Sequence, residues 1–205
     1  QIGSITEAMR ERLESAFTIN QVDNFDAKKI THVVTNGHDG LSPEIMASLE
    51  NLKVISGYGV GYDAIDTVEA VRRGIVVTHT PNVLNEEVAT TAILLMLSCY
   101  REVLRDDAYA RSGDWEVKGG APLTRSADNQ TVGILGLGRI GQAIANKLAP
   151  WNATIVYHSR NKKDVGYTYY KSVTEMAKDC DVLICITPGG PSTDNIVNSE
   201  VMEAL

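Results

Sequence analysis

Three glycines, Gly136, Gly138 and Gly141, are spaced to hold a phosphate. The hexapeptide Gly136-Leu137-Gly138-Arg139-Ile140-Gly141 follows the β-branched run Thr131-Val132-Gly133-Ile134-Leu135 without a break, and an amphipathic stretch, Gln142 to Leu148, leads on to Pro150. A strand running through such a loop into a helix gathers free backbone N–H groups and the positive end of a helix dipole at one point, where a pyrophosphate can bind. Gly136 permits the sharp turn, Gly138 lets the ligand approach the backbone, and Gly141 lets the helix sit close on the strand. A second strand, Ala153 to Tyr157, arrives where a dinucleotide-binding βαβ unit needs one. The competing reading is a glycine-rich turn in an unrelated α/β protein.

The end of that second strand selects the dinucleotide. NAD(H) calls for an Asp or Glu that accepts hydrogen bonds from the ribose. The sequence supplies His158-Ser159-Arg160-Asn161-Lys162-Lys163, with no acid before Asp164. Ser159 can donate a hydrogen bond and Arg160 can make a forked, charge-assisted contact, with Asn161 beside them, so a 2′-phosphate is favoured. The expected cofactor is NADP(H), with NAD(H) as second choice. A solvated basic loop is the alternative.

A second glycine cluster, Gly57-Tyr58-Gly59-Val60-Gly61-Tyr62-Asp63, ends the strand Lys53–Ser56. Backbone N–H groups of Tyr58, Gly59, Val60 and Gly61 could bind a small anion such as a carboxylate, with Gly59 expected at positive φ. A tight turn with no ligand remains the other possibility.

The elements that must position these loops alternate between helix and strand, which predicts an α/β fold with parallel sheets. Thr6–Phe17 is amphipathic, Thr31–Thr35 reads as a strand, and Ser42 with Pro43 opens a helix to about Glu50. Asp66 caps a helix over Thr67–Arg73 that Gly74 ends, and Ile75–Thr78 is the next strand. Thr80-Pro81-Asn82 is the expected domain crossing. One long helix is expected from Asn85 to Arg111, with Val88, Ala92, Leu95, Cys99 and Val103 as its core or interface stripe. A further strand is expected at Val182–Ile186 and a helix at Asn198–Leu205.

The chain has 205 residues, is 43% hydrophobic and 22% charged, and carries a formal net charge of −7, which suits a globular protein and argues against nucleic acid or an anionic membrane as partner. Its longest apolar stretch, Ala92–Cys99, is too short to span a bilayer. Cys99, Cys180 and Cys185 fit no metal-binding spacing, so no metal is expected, and they read as reduced core cysteines of a cytoplasmic protein. Gln1-Ile2-Gly3-Ser4 has no initiator Met or opening strand, and Val201–Leu205 has no terminating glycine. Both ends are therefore expected to be cuts in a longer chain.

Several spaced motifs together resemble the D-isomer-specific 2-hydroxyacid dehydrogenase family. They are Gly57-x-Gly59-x-Gly61-x-Asp63-x-Ile65-Asp66, then Thr80-Pro81 with Glu87-Val88-Ala89 and Thr91. Gly113-x-Trp115, the Thr131–Gly141 segment, and Thr187-Pro188 with Thr193 and Asn198 complete them. Tyr157–Arg160 and Ile186–Gly190 are most similar to glyoxylate/hydroxypyruvate reductases. The resemblance implies two Rossmann-like or flavodoxin-like parallel-sheet domains with a cleft between them, a substrate domain over residues 1–82 and an incomplete nucleotide-binding domain over residues 83–205. It implies that Tyr58–Gly61 hold the substrate carboxylate and that Leu137–Ile140 hold the pyrophosphate. Ile186, Thr187, Pro188 and Gly189 would run beside the cofactor, with Thr91 near its nicotinamide end. The implied activity is hydride transfer from NADPH to a small 2-oxo acid by a homodimer. An NAD-linked dehydrogenase and a dinucleotide-sensing, non-catalytic binding protein are the alternatives. Two departures from the family pattern are Thr90, where many members have Asp, and Gly189-Gly190. The family's catalytic Arg, Glu and His match nothing here: His32, His38, His79 and His158 are not at the matching position, so the three are expected beyond Leu205.

Overall fold

Residues Gln1–Leu205 are all described by a computed structural model. They form two units, Gln1–Val83 with Pro188–Gly190, and Leu84–Thr187 with Pro191–Leu205. No helix is long and apolar enough to cross a membrane.

The first unit begins with α1 (Glu7–Glu14), capped by Thr6. Three strands follow, β1 (His32–Asn36), β2 (Val54–Tyr58) and β3 (Val76–Thr78), with α2 (Pro43–Ser48) and α3 (Thr67–Arg72) between them. Both intervening helices start as their sequences predict. The Ser42 hydroxyl accepts from Ile45 N–H with Pro43 in the first turn, and the Asp66 carboxylate accepts from Glu69 N–H at 2.9 Å. The sheet is parallel in the order β1-β2-β3, and its register sets Val33 beside Ile55 and Ile55 beside Val77. Val33, Leu41, Met46, Leu49, Ile55, Ile65 and Ile75 make its core.

The second unit opens with α4 (Asn85–Tyr100), α5 (Val103–Arg111) and α6 (Asp114–Lys118). Its sheet comprises β4 (Thr131–Leu135), β5 (Thr154–His158), β6 (Thr168–Tyr169) and β7 (Val182–Cys185). Between them come α7 (Arg139–Leu148) and α8 (Val173–Lys178), and α9 (Ser199–Ala204) closes the chain. All four strands are parallel, in the order β6-β5-β4-β7. Strand alternation sends Val132, Ile134, Ile155 and Tyr157 into one cluster with Ile93, Met96, Ile144 and Leu148, while Leu135 and Val156 pack with Met176 and Cys180 on the other face. The sheet is thus covered on both faces, as a parallel sheet requires.

Three expectations need correction. The single helix Asn85–Arg111 is two helices, broken at Glu102, which adopts φ 46°. The buried stripe is Ala89, Ile93, Met96 and Tyr100, one position on from the one expected. Beyond Tyr100 that stripe has no core left to follow, and Val103 and Leu104 are exposed. Leu95 is 61% exposed, and Cys99 and Cys185 are exposed too, so only Cys180 is a core cysteine. Helices α6 and α8 and strand β6 carried too little periodic signal to be predicted.

Candidate functional site

The glycine-rich turn after β4 is built by close backbone approach. Gly136 has φ +106°, and a Cβ there would lie 2.7 Å from the carbonyl oxygen of Ile186, so both conformation and space demand glycine. Its N–H donates to His158 O at 2.8 Å, which ties the turn to the end of β5. A Cβ on Gly141 would stand 2.2 Å from Gly136 O, which brings the first turn of α7 onto the end of the strand. Gly138 differs. It is the N-cap of α7 with φ −85° and ψ −158°, no side chain caps the helix, and a Cβ there would meet nothing within 4 Å. The open space over the uncapped N–H groups is the cradle a pyrophosphate fits, and no acid stands in the first turn of α7 to oppose it. Leu137 is 3% exposed and its side chain belongs to the core, so only its backbone faces the cradle. Arg139 is exposed and Ile140 half-buried.

Strand β5 delivers the chain to a basic loop. Arg160, Asn161, Lys162 and Lys163 are exposed, and none of the three cations joins an ion pair. The Ser159 hydroxyl donates to Asn161 O at 2.7 Å, inside the loop. Two tyrosines that the sequence did not mark as functional shape this loop. Tyr157 OH accepts from Lys163 N–H at 2.8 Å and donates to Lys163 O at 3.2 Å. Tyr169 OH donates to Ser159 O at 3.3 Å. The available signal for Tyr157 was a tyrosine directly after the aliphatic pair Ile155-Val156 within β5.

Ile186 and Thr187 continue from β7. Ile186 N–H donates to Leu135 O at 2.9 Å, and the Thr187 hydroxyl lies 3.7 Å from Cys185 Sγ. Pro188 and Gly189 are exposed. Thr91 sits exposed on α4 with its hydroxyl donating to Glu87 O at 3.0 Å.

In the first unit, Tyr58 ends β2 and is 45% exposed. The expectation of positive φ at Gly59 is wrong: none of Gly57, Gly59 and Gly61 has it. Room is tight instead: a Cβ on Gly59 would lie 3.1 Å from the Gly37 nitrogen and one on Gly57 would lie 3.0 Å from Thr78 O, while one on Gly61 would meet nothing closer than 3.5 Å. The loop is held from β3. Thr80 N–H donates to Gly59 O at 2.8 Å, and His79 Nδ1 lies 2.9 Å from Val60 O. A trans peptide points its N–H opposite to its C=O. With both carbonyls held toward His79 and Thr80, the N–H groups of Val60 and Gly61 point away from them, a pair suited to a carboxylate. His79 carries this loop and also packs edge-on against Tyr62 at 5.1 Å. The sequence reading set it aside as a match for the family's catalytic His and gave it no other role.

Comparison with known proteins follows from this geometry. The family model for the NAD binding domain of D-isomer specific 2-hydroxyacid dehydrogenases matches residues 93–205. A hydroxyphenylpyruvate reductase of Plectranthus scutellarioides is 40% identical over 180 residues, covering 87% of this chain and 57% of the relative. A glyoxylate/hydroxypyruvate reductase of Arabidopsis thaliana is 41% identical over 177 residues, covering 86% and 56%. The chain thus spans little more than half the length of these two relatives. Among solved structures, an NADPH-dependent glyoxylate/hydroxypyruvate reductase from Sinorhizobium meliloti, in complex with NADP and malonate, superposes with a TM-score of 0.90 at 38% identity, covering 98% of this chain and 66% of that one.

Proposed function

We infer, from the premise that this chain belongs to the D-isomer specific 2-hydroxyacid dehydrogenase family, that the protein reduces a small 2-oxo acid, glyoxylate or hydroxypyruvate, to the D-2-hydroxy acid with NADPH. The observation that carries this reading is the end of β5, where exposed Arg160, Lys162 and Lys163 stand without a carboxylate partner. An acid there would bind the ribose of NADH and repel a 2′-phosphate, whereas a guanidinium pairs with that phosphate. The Sinorhizobium meliloti relative, solved with NADP, supports the same choice.

The bound cofactor supplies the hydride. The chain's own residues bind and orient. Backbone N–H groups from Gly138 to Gly141 take the pyrophosphate, with Arg139 and Ile140 at its rim. Ser159, Arg160 and Asn161 take the adenosine end, and Ile186–Gly189 with Thr91 flank the rest of the cofactor. Val60 and Gly61 N–H, with Tyr58 and Gly59 beside them, hold the substrate carboxylate and so fix which carbon is reduced. No residue of the chain matches the family's acid–base His, its Glu or the Arg that anchors the 2-oxo acid; positioned proton transfer of this kind contributes about 10²–10⁴-fold. The active form is a homodimer, supported by the 61% exposure of both Leu94 and Leu95 on α4. A cytoplasmic setting is consistent with three unpaired thiols.

The test is glyoxylate- or hydroxypyruvate-dependent oxidation of NADPH by the full-length protein, with the product's configuration determined. D-Glycerate from hydroxypyruvate is expected. L-Glycerate, or no turnover of either acid, contradicts the reading.

A further inference from the structure

The basic loop after β5 is short, exposed and rich in like charge, and such a loop would ordinarily sample many shapes. Here it is pinned at both ends by phenols. Tyr157 has no exposed surface, and its ring packs in the core of the second unit, 5.4 Å from the ring of Tyr169. Its hydroxyl reaches Lys163 and takes up both backbone groups of that residue, accepting from N–H at 2.8 Å and donating to C=O at 3.2 Å. At the other end Tyr169 OH donates to Ser159 O at 3.3 Å, and Ser159 Oγ closes the loop on Asn161 O at 2.7 Å. Tyr157 and Tyr169 are themselves register partners across β5 and β6. The sheet therefore holds the Ser159–Lys163 backbone, the segment that carries exposed Arg160 and Lys162.

We propose that Tyr157 is a specificity-determining positioning residue, whose hydroxyl holds the Ser159–Lys163 loop in the shape that receives the 2′-phosphate of NADP(H). Tyr157 need not touch the cofactor. It acts by sparing the bound state the cost of ordering a flexible cationic loop, so its contribution falls on the 2′-phosphorylated nucleotide alone. A merely structural tyrosine would weaken every nucleotide equally. The proposal rests on the NADPH reading above.

The experiment titrates the full-length protein with adenosine 2′,5′-bisphosphate and with adenosine 5′-monophosphate, which differ only in the 2′-phosphate. The wild-type protein is expected to bind the bisphosphate more tightly. In Tyr157→Phe the Kd for the bisphosphate should rise roughly fivefold, the loss of about one hydrogen bond's net contribution, while the monophosphate stays within about twofold. Tyr169→Phe, whose phenol is half-buried, should shift the same ratio in the same direction and keeps the test decidable if Tyr157→Phe fails to fold. A wild-type protein without preference overturns the NADPH reading and this proposal with it. A wild-type preference that both variants retain, or an equal loss of both nucleotides, overturns the proposal and leaves the NADPH reading standing.

Discussion

Gly136 and Gly138 are two residues apart, yet the structure separates what an added methyl does at each. Gly136→Ala forces a side chain onto φ +106° and sets its Cβ 2.7 Å from Ile186 O, which is backbone and cannot swing aside. The conformational cost is about 1–3 kcal/mol and the required shift adds about 1–3 kcal/mol more. Together, a loss of about 2–6 kcal/mol lowers Tm by roughly 4–24 °C in a protein of this size class. Gly138→Ala meets nothing within 4 Å and keeps φ −85°. Alanine is a poorer N-cap than glycine, by up to about 1 kcal/mol, but it also narrows the unfolded ensemble by about 0.4–1 kcal/mol, so the two terms nearly cancel. The same methyl stands in the cradle over the start of α7, where the pyrophosphate must come against the backbone. Thermal unfolding by circular dichroism and NADPH titration by protein fluorescence, run on both variants, read the two effects separately. Gly138→Ala should leave Tm within about 2 °C and weaken NADPH at least about tenfold. Undiminished NADPH affinity in Gly138→Ala, or a Tm loss equal to that of Gly136→Ala, refutes the assignment of the cradle.

Gly59→Val should raise KM for the 2-oxo acid at least about tenfold, because it pushes the loop off Gly37, while the Kd for NADPH stays within about twofold; equal losses would point to general unfolding. Thiol labelling of the native protein should modify Cys185 within minutes and spare Cys180, which is 6% exposed and whose thiol pKa is pushed up mainly by burial; prompt labelling of Cys180 would contradict that burial. Leu95→Glu should shift the sedimenting species at micromolar concentration from dimer toward monomer with little change in Tm, since Leu95 is 61% exposed. A wild-type protein that sediments as a monomer would remove the dimer from the account.

The other strands of the parallel sheets were legible as aliphatic or β-branched runs, and the helices at Ser42-Pro43 and Asp66 by their caps, whereas β6, Thr168–Tyr169, is too short to show a pattern. The dinucleotide turn was legible because glycine is the residue that fits Gly136, where conformation and space coincide. The first glycine loop was expected from Gly57, but Gly57 and Tyr58 belong to β2, and Gly59 is tight against Gly37 without a positive φ; sequence cannot show which backbone lies opposite. The break at Glu102 was invisible because Arg101 and Glu102 are good helix formers; the helix stops where its buried stripe runs out. The stripe itself was misphased because Leu94, Leu95 and Leu97 surround the helix with apolar residues and blur its periodicity. His79 and Tyr157 were missed because their value lies in contacts with carbonyl and amide groups distant in sequence or beyond a turn.

The preference for NADPH is argued from a strand end that lacks a carboxylate, and the ratio of kcat/KM for NADPH to that for NADH tests it directly. Measured with glyoxylate in the full-length protein, the ratio should exceed about ten, and Ser159→Asp should move it toward NADH by repelling the 2′-phosphate. A wild-type preference for NADH would contradict the account at its centre.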